Sequence, residues 1–179
     1  MAMDYSQDIQ IRPSPCLRSA NAVRKNPIKT FIRLCIAENY DAERLGDNEL
    51  HLTVPGLWCD HEFSLSWKPD SEVVEIYLPF TSRTPSGRTD DICRLLSLLN
   101  EHLPCGHFVF WEKDRALVYR NTLSLAGGAE LRIEQAMALL ASALDAAERG
   151  YPACQYVIWA GKTPEDALDI ALLDLAAHG

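Results

Sequence analysis

The sequence predicts an α+β domain: an antiparallel sheet of about five to six strands, covered on one face by helices. Three observations predict it. Strand-like segments that alternate apolar and polar residues follow one another with connections too short for a parallel crossover. Helical apolar stripes flank these runs of strands instead of alternating with them one by one. The chain has 179 residues, 47% hydrophobic and 23% charged, which suits one globular domain that buries a core without disulfides or a structural metal.

Asn26-Pro27 opens the first helix. The Asn side chain can cap free N–H groups, and Pro is tolerated at the first helical position. Ile28, Phe31, Ile32, Cys35 and Ile36 recur at helical spacing to about Asn39. After a Gly46-Asp47-Asn48 turn, Leu50, Leu52 and Val54 alternate with polar residues, which marks a strand with one buried face. Pro55-Gly56 suits a type II turn. Cys59, His61, Phe63, Leu65 and Trp67 share one side of a second strand. Lys68-Pro69-Asp70-Ser71 is a turn, and Val74, Ile76, Leu78 and Phe80 mark a third.

A polar loop over 81–88 leads to Thr89, the expected cap of a helix whose first turn holds Asp90 and Asp91, where negative charge suits the dipole. Ile92, Leu95, Leu96 and Leu99 form its stripe, and Pro104-Cys105-Gly106 stops it. Segments 108–111 and 116–125 read as a hairpin around Lys113-Asp114, and Gly127-Gly128 ends the sheet. Ile133, Met137, Leu140, Leu144, Ala147, Tyr151, Cys154 and Ile158 then alternate spacings of four and three, and the phase survives Gly150 and Pro152. This predicts one long helix to about Trp159, kinked near Pro152; the competing reading makes 154–159 a strand. Gly161 ends the element. Thr163-Pro164-Glu165-Asp166 starts a final helix carrying Ala167, Leu168, Ala171, Leu172 and Leu175.

Charge is uneven. The net charge is −8, yet residues 1–33 hold six basic and two acidic residues, a local +4 that leaves −12 on the rest. A flexible or disordered basic arm over 1–25, ahead of one domain over 26–179, is expected; it could fold back on the acidic body or bind an acidic partner. The acidic balance argues against nucleic acid, which needs a basic face. No segment has the length of a signal peptide or a membrane span; the longest apolar run, 136–144, contains Ser142. Six scattered cysteines without a CxxC pair suit a reducing cytoplasm.

Two Cys-x-His pairs, Cys59/His61 and Cys105/His107, could each present two ligands on one face of a strand. Together they would make a Cys2His2 set suited to zinc, but nothing in the sequence brings them together, and packing roles account for all four. Gly161-Lys162-Thr163 imitates the end of a phosphate loop, but Tyr156 stands where its first Gly is needed. There is no Gly-x-Ser-x-Gly elbow and no HExxH. Trp58, Trp111 and Trp159 lie beside turns or a helix end, where rings are often half exposed and serve interfaces. Leu95, Leu98 and Leu99, with Leu103, widen the apolar face of the second helix, enough to cover both the sheet and a second chain.

The ordered pieces Asn26-Pro27, Pro55-Gly56, Trp58-Cys59-Asp60, Asn100-Glu101, Gly106-His107-Phe108, Tyr119-Arg120, Tyr151-Pro152-Ala153, Ile158-Trp159 and Gly161-Lys162-Thr163-Pro164-Glu165-Asp166-Ala167 resemble the YbjN family, described as a "putative bacterial sensory transduction regulator". The resemblance runs over roughly 26–177. It implies a fold like the type III secretion chaperones, often dimeric, and carries over no catalytic residue. The first 25 or so residues have no family counterpart, and Ala160 replaces an expected second Gly before Gly161. The expected function is that of a non-catalytic, cytoplasmic, homodimeric regulator or chaperone-like adaptor that binds proteins and uses no cofactor. The alternative is a small-ligand or metal sensor; an enzyme with an unrecognised site is a third.

Overall fold

The computed structural model describes residues 25–80 and 83–178. The arm expected over 1–25 therefore lies, apart from Lys25, outside the described residues. Helix α1 (Ile28–Glu38) starts where Asn26 Oδ1 accepts the Ile28 N–H at 2.9 Å, and closes on Asn39 in the left-handed region at φ 55°. Four strands follow: β1 (Asp41–Arg44), β2 (Glu49–Pro55), β3 (Asp60–Lys68) and β4 (Val73–Pro79). The chain then forms α2 (Thr89–Glu101), β5 (His107–Trp111), β6 (Ala116–Ser124), α3 (Ile133–Ile158) and α4 (Pro164–His178).

All six strands make one antiparallel sheet in the order β1-β2-β3-β4-β6-β5. The meander runs from β1 to β4. The chain then crosses through α2, lays β5 at the far edge and returns β6 into the slot beside β4. Period-two alternation decides which face is covered: Leu50, Leu52, Val54, Phe63, Leu65, Trp67, Val74, Ile76 and Leu78 are all buried. Against them pack Ile28, Phe31 and Leu34 of α1, Ile92, Leu95 and Leu99 of α2, and the apolar stripe of α3, while α4 packs on α2 and α3. Each large aliphatic or aromatic side chain buried this way contributes about 1.5–3 kcal/mol before the entropy of ordering is subtracted.

Strand β1 was not legible: its sequence Asp-Ala-Glu-Arg is exposed throughout, and it is a strand because β2 offers it a partner, Ala42 opposite Leu52. Thr89 does not cap α2. It is the first helical residue, after a single 3₁₀ turn over Ser86–Arg88. Its Oγ1 accepts from Arg115 Nη2 at 2.7 Å, while Arg115 Nε donates to the Thr84 carbonyl at 2.8 Å, so the pair ties this loop to the β5–β6 turn. Helix α3 runs unbroken for 26 residues through Gly150 and Pro152, which decides 154–159 for helix. Ala153, Cys154, Val157 and Ile158 are buried at helical spacing, which a strand could not achieve.

Both sheet edges are blunted. Edge β1 is charged and short. At β5, the Asn100 side chain donates to the Phe108 carbonyl (3.2 Å) and accepts the Phe108 N–H (2.7 Å), occupying the main-chain groups an added strand would use. A partner therefore meets faces and grooves more readily than edges.

Candidate functional site

The β2–β3 turn is bolted to α3 through Glu148. Glu148 Oε1 accepts the Leu57 N–H at 2.8 Å and lies 3.2 Å from His61 Nε2; both side chains are nearly out of solvent. A carboxylate oxygen can only accept, so His61 Nε2 donates to Glu148 Oε1, while Nδ1 faces the Cys59 Sγ at 3.9 Å. The indole N–H of Trp58 donates to the Glu148 carbonyl at 3.0 Å, and its ring meets His178 edge-on at 5.6 Å. Gly56 is glycine because of this junction: a Cβ there would fall 2.3 Å from Glu148 Oε1 and 2.6 Å from the His61 ring. Its φ is not positive, so close approach, not a type II turn, demands it. Glu148 Oε2 is buried with no hydrogen-bond partner among the described residues.

Cys59, in the turn one residue before β3, lies beside His61, but that His is committed to Glu148. Burial pushes the Cys59 thiol up; the Tyr151 hydroxyl pulls it back and the Glu148 charge adds to the rise. A thiol held protonated is a poor ligand or nucleophile. Cys105 is exposed just before edge strand β5 and His107 is exposed as its first residue, with β4 and β6 between them and β3. The two pairs are not brought together, and the described residues hold no group of three or more His, Cys, Asp or Glu that could hold a metal ion. Gly161, at φ 65°, ends the turn after α3, and Thr163 Oγ1 accepts the Asp166 N–H at 3.2 Å, which makes Gly161-Lys162-Thr163 a stop and a cap.

The uncovered sheet face divides in two. Its β4–β6–β5 end carries Tyr77, Arg120 and Trp111. The Arg120 guanidinium lies 5.5 Å from the Tyr77 ring centre, and that ring is 6.1 Å from Trp111, itself 42% exposed. Beneath them Glu75 accepts from Arg120 at 2.8 Å, with Lys68 at 3.9 Å. Burial and the neighbouring Glu75 carboxylate push the Tyr77 hydroxyl up, so it remains a neutral donor. The β1–β3 end is an acidic trough of about 360 Å³ lined by Asp41, Glu43, Glu62, His51 and Ser64.

Of the other surface candidates, Trp159 follows the last residue of α3 and is 71% exposed. Leu98 is partly buried, whereas Leu95 and Leu99 are wholly inside the core, because the stripe of α2 faces the sheet; they offer a partner no surface. Trp58 spends its N–H within the chain. Sequence reasoning missed Glu148, Tyr77 and Arg120. The one available signal was Pro152, which must leave the carbonyl four residues earlier without a helical donor.

A second concavity, about 280 Å³ and mostly apolar, lies between α1 and α3. Val54 and Leu140 contribute to its lining, with Leu34, Glu38 and Tyr40 from the α1 side and Met137, Ala138, Ala141 and Leu144 from α3. No helix among the described residues is long and apolar enough to cross a membrane.

A family model, YbjN, described as "Putative bacterial sensory transduction regulator", matches residues 27–156. No curated protein matches the sequence. Among solved structures, a chain in the crystal structure of the ExsC–ExsE complex is similar at 17% identity and a TM-score of 0.51, over 72% of this chain and 92% of that one. The crystal structure of YbjN from E. coli, described as "a putative transcription regulator", matches at 12% identity and a TM-score of 0.47, over 66% of this chain and 84% of that one.

Proposed function

Because the chain belongs to the YbjN family, we propose that it is a non-catalytic, cytoplasmic, protein-binding regulator or chaperone-like adaptor that acts as a homodimer. One observation carries the reading: Trp111, Tyr77 and Arg120 stand side by side on a sheet face that no helix among the described residues covers. Trp, Tyr and Arg dominate the energetics of protein interfaces, because rings and guanidinium bury much area at small entropic cost. A second copy suits this face. Arg120 and His107 mark one end and Asp41, Glu43 and Glu62 the other. A two-fold axis parallel to the strands would bring unlike ends together twice. The ExsC–ExsE complex is a protein–protein assembly that contains a chain of similar fold, which supports the choice without naming a client.

Native mass spectrometry of the untagged full-length protein, with sedimentation of Trp111→Ala, tests this. A metal-free dimer, weakened about tenfold or more by Trp111→Ala with the melting temperature unchanged, is expected. A monomer carrying zinc or a small molecule would overturn it. That outcome would favour the alternative, a small-ligand or metal sensor.

A further inference from the structure

The α1–α3 groove carries a specific charge anomaly. Among the described residues that line it, Glu38 is the one that is charged. It is also the last residue of α1, whose final turn holds no basic residue. A carboxylate there meets the negative end of the helix dipole and is unfavourable for α1 itself. Among the described residues nothing pairs with it: the ion pairs of this region go elsewhere, Lys25 to Glu130 and Arg44 to Asp47. An apolar channel that ends in an uncompensated carboxylate asks for a cation attached to apolar groups.

We infer that this groove docks an apolar segment of a partner polypeptide whose Lys or Arg pairs with Glu38. The inference rests on the protein-binding reading above. Met137 to Leu144 is two helical turns, about 10 Å, so the groove takes two or three apolar side chains. Ala138 and Ala141 let a backbone come close, and Met137, 46% exposed, supplies an unbranched thioether that adapts to different shapes. The charge of −12 on residues 34–179 steers a cationic segment toward the body from a distance.

The probe is a fluorescein-labelled amphipathic Leu/Lys peptide of about 18 residues, long enough to form a helix when bound, with a Leu/Glu peptide of the same pattern as its counterpart. Anisotropy is measured on the full-length protein. The Leu/Lys peptide is expected to bind about tenfold tighter than Leu/Glu. Glu38→Lys should weaken Leu/Lys about tenfold and turn the preference toward Leu/Glu. Ala141→Trp, at an exposed position, should weaken both by filling the groove, and circular dichroism melts confirm that each variant folds. Asp169→Lys on α4 makes the same change in net charge and should leave binding within about twofold.

Equal loss with Asp169→Lys and Glu38→Lys, or no loss with Ala141→Trp, overturns the proposal. Binding that emerges only when Arg12, Arg18 and Arg24 are changed to Glu makes the chain's own N-terminal segment the occupant, and overturns it too. So does a homodimer that Ala141→Trp dissociates, since a second copy then fills the groove. Loss of the peptide result with Trp111-dependent association intact removes only the groove; loss of both removes the protein-binding reading.

Discussion

The carbonyl oxygen of Glu148, in the middle of α3, accepts the indole N–H of Trp58 at 3.0 Å. In a helix without proline that carbonyl would accept the N–H of residue 152, but residue 152 is proline and has none. The indole substitutes for the missing donor. A helix defect and a turn tryptophan 90 residues apart in sequence therefore solve one problem, and the Glu148 carboxylate reinforces the same junction by holding Leu57 and His61.

Trp58→Phe keeps the ring and removes the donor. It should lower stability by about 1–2 kcal/mol, the cost of a partly buried carbonyl left unmade, or roughly 2–8 °C in melting temperature at this size. In a Pro152→Ala background the helix supplies its own N–H, and the same substitution should cost about 1 kcal/mol less. A double-mutant cycle by urea denaturation checks it. Additive losses would mean that the indole bond and the proline are unrelated.

Gly150→Ala should destabilise the protein, against the ordinary gain of about 1 kcal/mol for Gly→Ala inside a helix. The added Cβ would sit 2.7 Å from the tip of the Phe108 ring and 3.1 Å from that of Phe80, both buried and packed against each other edge-on. Overpacking of this kind costs about 1–3 kcal/mol. In a Phe108→Leu background the sign should reverse, and thermal melts of the four proteins decide.

Asn100→Ala removes both partners of the Phe108 main chain at the β5 edge. A loss of about 2 kcal/mol is expected. The bared edge should also make self-association concentration-dependent, through strand pairing that the Asn side chain now blocks. Equilibrium denaturation reads the first effect and analytical ultracentrifugation the second. A variant with wild-type stability would show that water replaces the amide at no cost.

Local chemistry determined most of the fold. The alternation in Leu50–Val54, 61–67 and 74–80 named three strands and their buried face, because side chains on a strand point alternately to opposite sides. The four-and-three spacing from Ile133 to Ile158 carried one helix through Gly150 and Pro152, because the period of a continuing helix cannot lapse where its buried stripe continues. Gly161, Thr163 and Pro164 punctuated the last helix at sites where backbone geometry depends on a single residue.

Tertiary structure alone decided the rest. Strand β1 has no apolar pattern and exists because β2 presents an open ladder. Thr89 reads as a cap until Arg115, 26 residues on, claims its hydroxyl. Leu95 and Leu99 read equally as core or interface until α2 is laid on the sheet. Cys59/His61 reads as half of a metal site or as packing until α3 crosses the β2–β3 turn and sets the Glu148 carboxylate against the imidazole. Tyr77, Arg120 and Trp111 meet only because β6 inserts between β4 and β5. Periodicity is a property of neighbours along the chain, whereas pairing partners, exposed patches and buried charges depend on which distant segments come to lie together.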